Sequence, residues 1–250
     1  MAAVHDLLDR HKSLASRRQP WMNYWQQLAD VLLPNQADFT RLNMPGEARG
    51  TGIYDGSPRL ALRDLASTLD GLIKPKTNKW FDLAVNDDLA RYDEVKRWLE
   101  AVRERMWDTT YRADARFIQR SAEVDLNLTC FGFGVLWIGQ NKLRNGLLFR
   151  SFHNARAAID ENEEGQIDTI ALEEALTPRQ AEAAYRRAGK EPSRAVAEAL
   201  RDTKSAADRR FEFVQLVLPR TDRHAGRIGA KNMPFASALI DVKGEEIVEE

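Results

Sequence analysis

Residues 129–139 read TCFGFGVLWIG, and the two glycines inside that stretch, Gly132 and Gly134, decide between two folds. A dinucleotide-binding loop requires a strand, then G-x-G-x-x-G, then a helix whose N-terminus meets the phosphates. Here the order is reversed. The preceding residues carry Phe117, Ile118, Val124 and Leu128 at helical spacing, and a short apolar run follows, with Trp137 standing where the third glycine belongs. The glycines therefore turn the chain sharply out of a helix, where bulkier residues would crowd. They send Val135 and Trp137 to one face of a strand and Leu136 and Ile138 to the other.

Upstream of that seam the apolar spacing is mostly helical. Leu7, Leu8, Leu14, Trp21, Tyr24, Trp25, Leu28, Val31 and Leu32 recur mostly three or four apart. Pro20 is expected to start a second helix or bend the first, and Pro34 to stop it. Residues 35–52, NQADFTRLNMPGEARGTG, show no period and read as a long surface loop, a form often used as a binding or assembly arm. A punctuated helix follows over 57–73, with Ser57 as N-cap, Pro58 at the first helical position and Leu62, Leu65, Leu69 and Leu72 on its apolar face. The segment 79–85 reads as extended, bringing Trp80, Leu83 and Val85 toward a core. A second helix over 87–111 sets Leu89, Tyr92, Val95, Trp98, Leu99, Val102 and Met106 against a face carrying Arg91, Lys96, Arg103 and Arg105.

Downstream the period changes to two. Apolar segments on either side of Asn145-Gly146 read as a hairpin. AAIDENEEGQIDTIALEEAL reads as a further pair turning at Gly165. Thr177-Pro178 opens a helix that ends at Gly189, and a shorter helix covers 193–202. RFEFVQLVLPR is a strand with Phe211, Phe213, Gln215 and Val217 on one face and Val214, Leu216 and Leu218 on the other, and ASALIDVKGEEIVEE is a hairpin turning at Lys243-Gly244. Helices first and strands afterwards make the chain α+β: a helical part, residues 1–130, packed on an antiparallel β-rich part, residues 131–250, with a helical insertion near 177–203.

The composition excludes several functions. Thirty-seven basic and 38 acidic side chains give a net charge of −1, whereas a protein that grips nucleic acid over its whole surface needs a cationic excess. No apolar run approaches the roughly 18 residues that cross a bilayer, so no membrane partner is expected. The N-terminus has no continuous apolar signal region, and one cysteine, Cys130, excludes an internal disulfide framework. GEARGTG, residues 46–52, lacks the G-K-[ST] ending of a phosphate loop. DENEEGQIDTIA, residues 160–171, imitates a calcium loop until its twelfth place, where Ala171 stands instead of glutamate. His5, His11, His153 and His224 form no metal-binding pair, Cys130 has no neighbour that would activate it, and no carboxylate pair stands out. No catalytic residue, cofactor or metal is expected, and the chain does not read as an enzyme. Six tryptophans serve a core first and a subunit interface second. The one basic cluster, Arg220, Arg223, Arg227 and Lys231, opposed only by Asp222, is the candidate contact for nucleic acid or a partner protein.

Taken in order, several segments resemble the head-to-tail connecting, or portal, proteins of short-tailed bacteriophages. They are WMNYWQQLADVLLP (21–34), IYDGSPRLALRDLASTLDGLIKPKTNKWFDL (53–83), VKRWLEAVRERM (95–106), CFGFGVLWI (130–138), AIDENEEGQIDTI (158–170), LTPRQAEAAY (176–185) and VLPR (217–220). Each is weak alone; the series is specific and covers nearly the whole chain. The resemblance implies a structural ring of twelve copies at one capsid vertex, in the virion and in the host cytoplasm during assembly. Double-stranded DNA would pass through it during packaging and ejection. The major capsid and scaffolding proteins, the large terminase subunit and tail adaptor proteins would be its partners. Near-neutrality fits a conduit, because many phosphate contacts would trap DNA rather than let it slide. Such proteins are about twice as long, so this chain is expected to be a wing-like part lacking the stem and clip. An adaptor or capsid-associated protein sharing the wing fold stays open, as does a nucleotide- or nucleic-acid-processing enzyme using residues 46–52 or the basic loop.

Overall fold

The computed structural model describes residues 4–41, 44, 46–50, 52–202, 209–220, 223–224, 226–227, 229 and 232–250. In chain order its elements are α1 (Val4–Leu32), α2 (Ser57–Ile73), α3 (Asp93–Tyr111), α4 (Phe117–Phe131), β1 (Val135–Gln140), β2 (Leu147–Phe152), β3 (Ala157–Glu161), β4 (Ile167–Leu176), α5 (Pro178–Arg187), α6 (Arg194–Arg201), β5 (Phe211–Pro219), β6 (Phe235–Asp241) and β7 (Glu246–Glu249). Helices lead and antiparallel strands follow, the α+β order read from the sequence. Compactness follows a different partition from a split at residue 130. Residues up to Met22 join Ala155–Glu250 in a sheet unit, and Asn23–Asn154 form a helical unit that includes β1 and β2. One helix thus serves both units, because α1 runs unbroken through Pro20. A proline forfeits one ladder bond, and here the turns on either side are held by buried residues, Leu14 before it and Met22 and Trp25 after it.

In the sheet unit, β3 to β7 form an antiparallel meander in sequence order. Ala158, Ala171, Leu216 and Ala238 stand opposite one another across β3 to β6. Three alanines in that row leave a shallow floor on which Leu7, Leu8 and Leu14 of α1 pack, together with Val214 and Ile240. The other face buries Phe211, Phe213 and Val248 against Ala181 and Tyr185 of α5 and Val196 and Ala199 of α6. The alternation read from RFEFVQLVLPR therefore separates two cores, one on each side of β5, and each fully buried Phe or Leu contributes about 1.5–3 kcal/mol. Thr177 and Gln180 form a reciprocal capping box at the start of α5, worth about 1 kcal/mol, and Gly189 ends that helical stretch at φ +71°.

Polar contacts fix α1 on this sheet. Arg10 and Arg17, two turns apart, both reach Asp160, at 2.7 and 3.0 Å. His11 and Arg18, likewise two turns apart, both reach Glu173 Oε1, at 3.1 and 2.8 Å. On the opposite face the buried Asp241 closes the β6–β7 turn. Its Oδ1 accepts from the backbone of Lys243 and Gly244, and its Oδ2 from the Tyr185 and Ser193 hydroxyls.

In the helical unit, α2 lies on α4 through Leu62 and Ala66. Gly132 stops α4 in the left-handed region at φ +87°, its N–H reaching Leu128 O. Gly134 has a different reason: a Cβ there would stand 2.7 Å from the Val124 carbonyl oxygen, so the chain passes against α4 where only glycine fits. Beyond it β1 and β2 pair antiparallel, Val135 opposite Phe152 and Gln140 opposite Leu147. The hairpin is where the sequence places it, but Asn145-Gly146 is not a two-residue turn. Six residues, 141–146, connect the strands, and Arg144, not Gly146, takes the left-handed backbone. The Asn141 side chain donates to Asn145 Oδ1 and accepts from the Asn145 N–H, and this closure outweighs the local dipeptide preference.

Two other local readings change. Ser57 is the first residue of α2 rather than its cap, and its N–H is held by Asp55 Oδ1 at 2.9 Å. The first part of the long 35–52 loop is packed. Gln26 of α1 accepts from Phe39 and Thr40 N–H and donates to Ala37 O, which seats Phe39 among Trp25, Phe131 and His153.

Candidate functional site

The places that resemble chemistry are held by structural partners. The Asp160 carboxylate of the calcium-loop imitation is taken by two arginines, and Asn162 Oδ1 folds the turn by accepting from Glu164 and Gln166 N–H. Among the described residues no three His, Cys, Asp or Glu side chains converge as a metal site. His153 bonds Gln36 O at 2.8 Å, and His11 sits in the Glu173 pair. Burial pushes the Cys130 thiol up to about 11, which keeps it protonated and unreactive.

One constellation escaped sequence reasoning. Lys74 Nζ, just beyond α2, lies 2.9 Å from Ser121 Oγ and 2.9 and 2.6 Å from the two Asp125 oxygens on α4, with Asp70 at 3.6 Å. A serine beside a lysine resembles a nucleophile and its base. A base needs an unprotonated nitrogen, however, and here a bidentate carboxylate holds the ammonium while Ser121 is buried. The group is an interior tie between α2 and α4. The signal available in the sequence was an aspartate and a serine on the inward face of an otherwise apolar helix.

The basic loop chosen from sequence is only partly on view. Arg220 is mostly buried and pairs with Glu250 at 3.0 Å. Arg223 and Arg227 are exposed, and their side chains have no partner among the described residues. Lys231 and Asp222 lie outside the described residues.

The helical unit exposes large apolar side chains on α2 and α3. None of the 19 residues of α3 is buried, although Val95, Trp98, Leu99, Val102 and Met106 share one helical face. Its C-terminal turns are anchored from the other side, where Trp107 stacks on Tyr111 and Tyr111 meets Phe117 edge-on. α2 carries a second row one-third of a turn from the face it spends on α4: Ala61, Leu65 and Leu72, spaced four and seven apart. Leu65 is 53% exposed, Leu72 76% and Trp98 63%. Tyr54, Leu60, Ile73, Leu89 and Tyr92 add to the exposed apolar surface. Isolated apolar residues at a surface are ordinary, but two ordered rows on neighbouring helices of the chain mark surfaces made to be covered. The sequence showed the α3 face; that Trp98 and Met106 on it stay exposed was visible only in three dimensions.

Residues 4–250 match the sequence profile of the family described as bacteriophage head to tail connecting protein. The chain is 25% identical over 247 residues to the probable portal protein of Bordetella phage BPP-1, and 23% identical over 241 residues to the portal protein of Salmonella phage epsilon15. Each alignment takes in 96% of this chain and 42% of the relative, so the chain spans about two-fifths of the length of the curated relatives it matches.

Proposed function

Because the chain belongs to the bacteriophage head to tail connecting protein family, we propose that it is the wing-like part of a portal, a structural protein that assembles with its own copies into a ring at the capsid vertex. Residues 1–130 would form the helical part of that wing and 131–250 its β-rich part. In this reading the ring is the conduit through which double-stranded DNA is packaged and ejected. It meets the major capsid and scaffolding proteins, and it offers the platform on which the large terminase subunit and tail adaptor proteins dock. Arg223 and Arg227 remain candidate contacts for DNA or a neighbouring virion protein.

The observation that carries the proposal is the exposed apolar surface on two helices, Leu65 and Leu72 on α2 and Trp98 and Met106 on α3. They are different surfaces, and a contact between one patch and a different patch on the next copy repeats around a ring when the rotation closes. The test is electron microscopy and native mass measurement on the full-length protein. Rings are expected, and L72D and W98D should each convert them to smaller species with unchanged circular dichroism. A wild-type protein that stays monomeric at all concentrations, or rings indifferent to both substitutions, overturns the proposal.

A further inference from the structure

We propose that the tip of the β1–β2 hairpin, with the turn packed beside it, is a phosphate-contacting finger for duplex nucleic acid, formed by Lys142, Arg144 and Arg116. From Val135 to Phe152 the chain carries three cations, Lys142, Arg144 and Arg150, and no acid, in a chain whose overall charge is −1. Arg150 has its work within the hairpin, stacking its guanidinium over Trp137 and Phe152. Lys142 and Arg144 are exposed at the connecting loop, and their side chains have no partner among the described residues.

A second turn supplies the third cation. Arg112 Nη1 donates to Asn145 O at 3.3 Å, while its own charge is matched by Asp114 through two 3.0 Å hydrogen bonds. Phe149 N–H donates to Ala115 O at 2.9 Å, which binds the 112–116 turn to β2. Arg116, the next residue, is exposed, and its side chain also has no partner among the described residues.

The finger is held in shape. Arg116 and Arg144 both adopt the left-handed backbone, at φ 62° and 55°, which costs a non-glycine residue free energy and persists only where surrounding bonds impose it. Asn141 imposes it at the tip, receiving Arg144 N–H at its carbonyl and pairing its side chain with Asn145. A backbone held in this way loses little loop freedom on binding.

The chemistry favours phosphate over a protein surface. A protein interface needs about 800 Å² per partner with an apolar centre, and this tip exposes a single large apolar side chain, Leu143. Phosphate contacts need only cations, and a two-stranded ribbon has the width to follow a duplex groove. Three contacts per copy also give a shallow, salt-sensitive well compatible with sliding. In this respect the finger deepens the portal reading and rests on it.

The experiment is fluorescence anisotropy of the full-length protein with a labelled DNA duplex of arbitrary sequence, over a salt series. The variants are K142Q/R144N and R116N, asparagine being chosen because it tolerates the left-handed backbone. Each contact contributes about 0.9 to the log–log salt slope. The double variant should therefore lower the slope by about 2 and weaken binding about tenfold or more at low salt, with R116N removing about one further contact. R223Q/R227Q, measured beside them, reads the separate contribution of the other candidate contact. Absence of wild-type duplex binding overturns the finger, as does a slope that falls with R223Q/R227Q and not with the hairpin variants. Mass measurement on the same samples separates the two claims. Loss of rings with duplex binding intact would refute the portal reading alone, and intact rings with an unchanged slope would refute the finger alone.

Discussion

Replacing Asp125 by alanine should be the most costly single change in the helical unit. The Lys74 side chain is 15% exposed and that of Asp125 9%, so the pair is close to interior. Lys74 Nζ would keep only Ser121 and a distant Asp70 as partners, and removing one member of a buried pair leaves an uncompensated charge at about 3–5 kcal/mol. K74M should cost a similar amount, since it strands the carboxylate. The double variant K74M/D125L should recover to within about 1 kcal/mol of the parent, because an apolar pair of similar volume avoids the desolvation of both ions. Urea unfolding followed by tryptophan fluorescence reads this unit, since of the six tryptophans only Trp21 lies in the sheet unit. With a slope of about 2 kcal/mol/M, D125A shifts the midpoint down by about 1.5–2.5 M. A D125A effect below about 1 kcal/mol, or a double variant equal to the sum of the singles, would refute the claim that this pair is a coupled interior tie.

G134A, which drives a methyl into the Val124 carbonyl, should destabilise by about 1–3 kcal/mol, and G132A, which forces alanine into the left-handed region, by about 1–2; thermal melts of both variants check the order. For Glu173, burial works to raise the carboxyl, but the His11 and Arg18 contacts outweigh it and hold the group below the ordinary value of 4.5. Its stabilisation of the α1–sheet contact is therefore full above pH 4.5 and lost as pH falls through the lower folded value. E173Q should flatten that acid limb in a pH series of unfolding midpoints, and an unchanged limb would count against the pairing. Cys130, raised by burial to about 11, should react with an aromatic disulfide reagent at pH 8 only as fast as the protein opens, and denaturant should accelerate it by orders of magnitude.

Local chemistry made much of the fold legible. Gly132 and Gly134 marked the end of α4 because a helix followed by an apolar β-period cannot be a phosphate loop, whatever the glycine spacing. Thr177-Pro178 and Gly189 announced α5, and the alternation along β5 matched two apolar layers. Where the reading slipped, a partner distant in sequence decided. Gln26 pulls Phe39 out of a supposed free arm, Asn141 moves the left-handed residue from Gly146 to Arg144, and Glu250 occupies Arg220.

The sequence by itself determined the element types, their order and the family, because periodicity, caps and motif series are written in residues close together along the chain. Only the tertiary structure decided that α1 is shared between two units, that Lys74 and Asp125 meet, and which apolar faces stay uncovered. Burial, ion pairing and exposure depend on what approaches from elsewhere in the chain. An amphipathic pattern fixes which face of a helix seeks a partner, whereas the packing of the other helices fixes whether it finds one inside the fold.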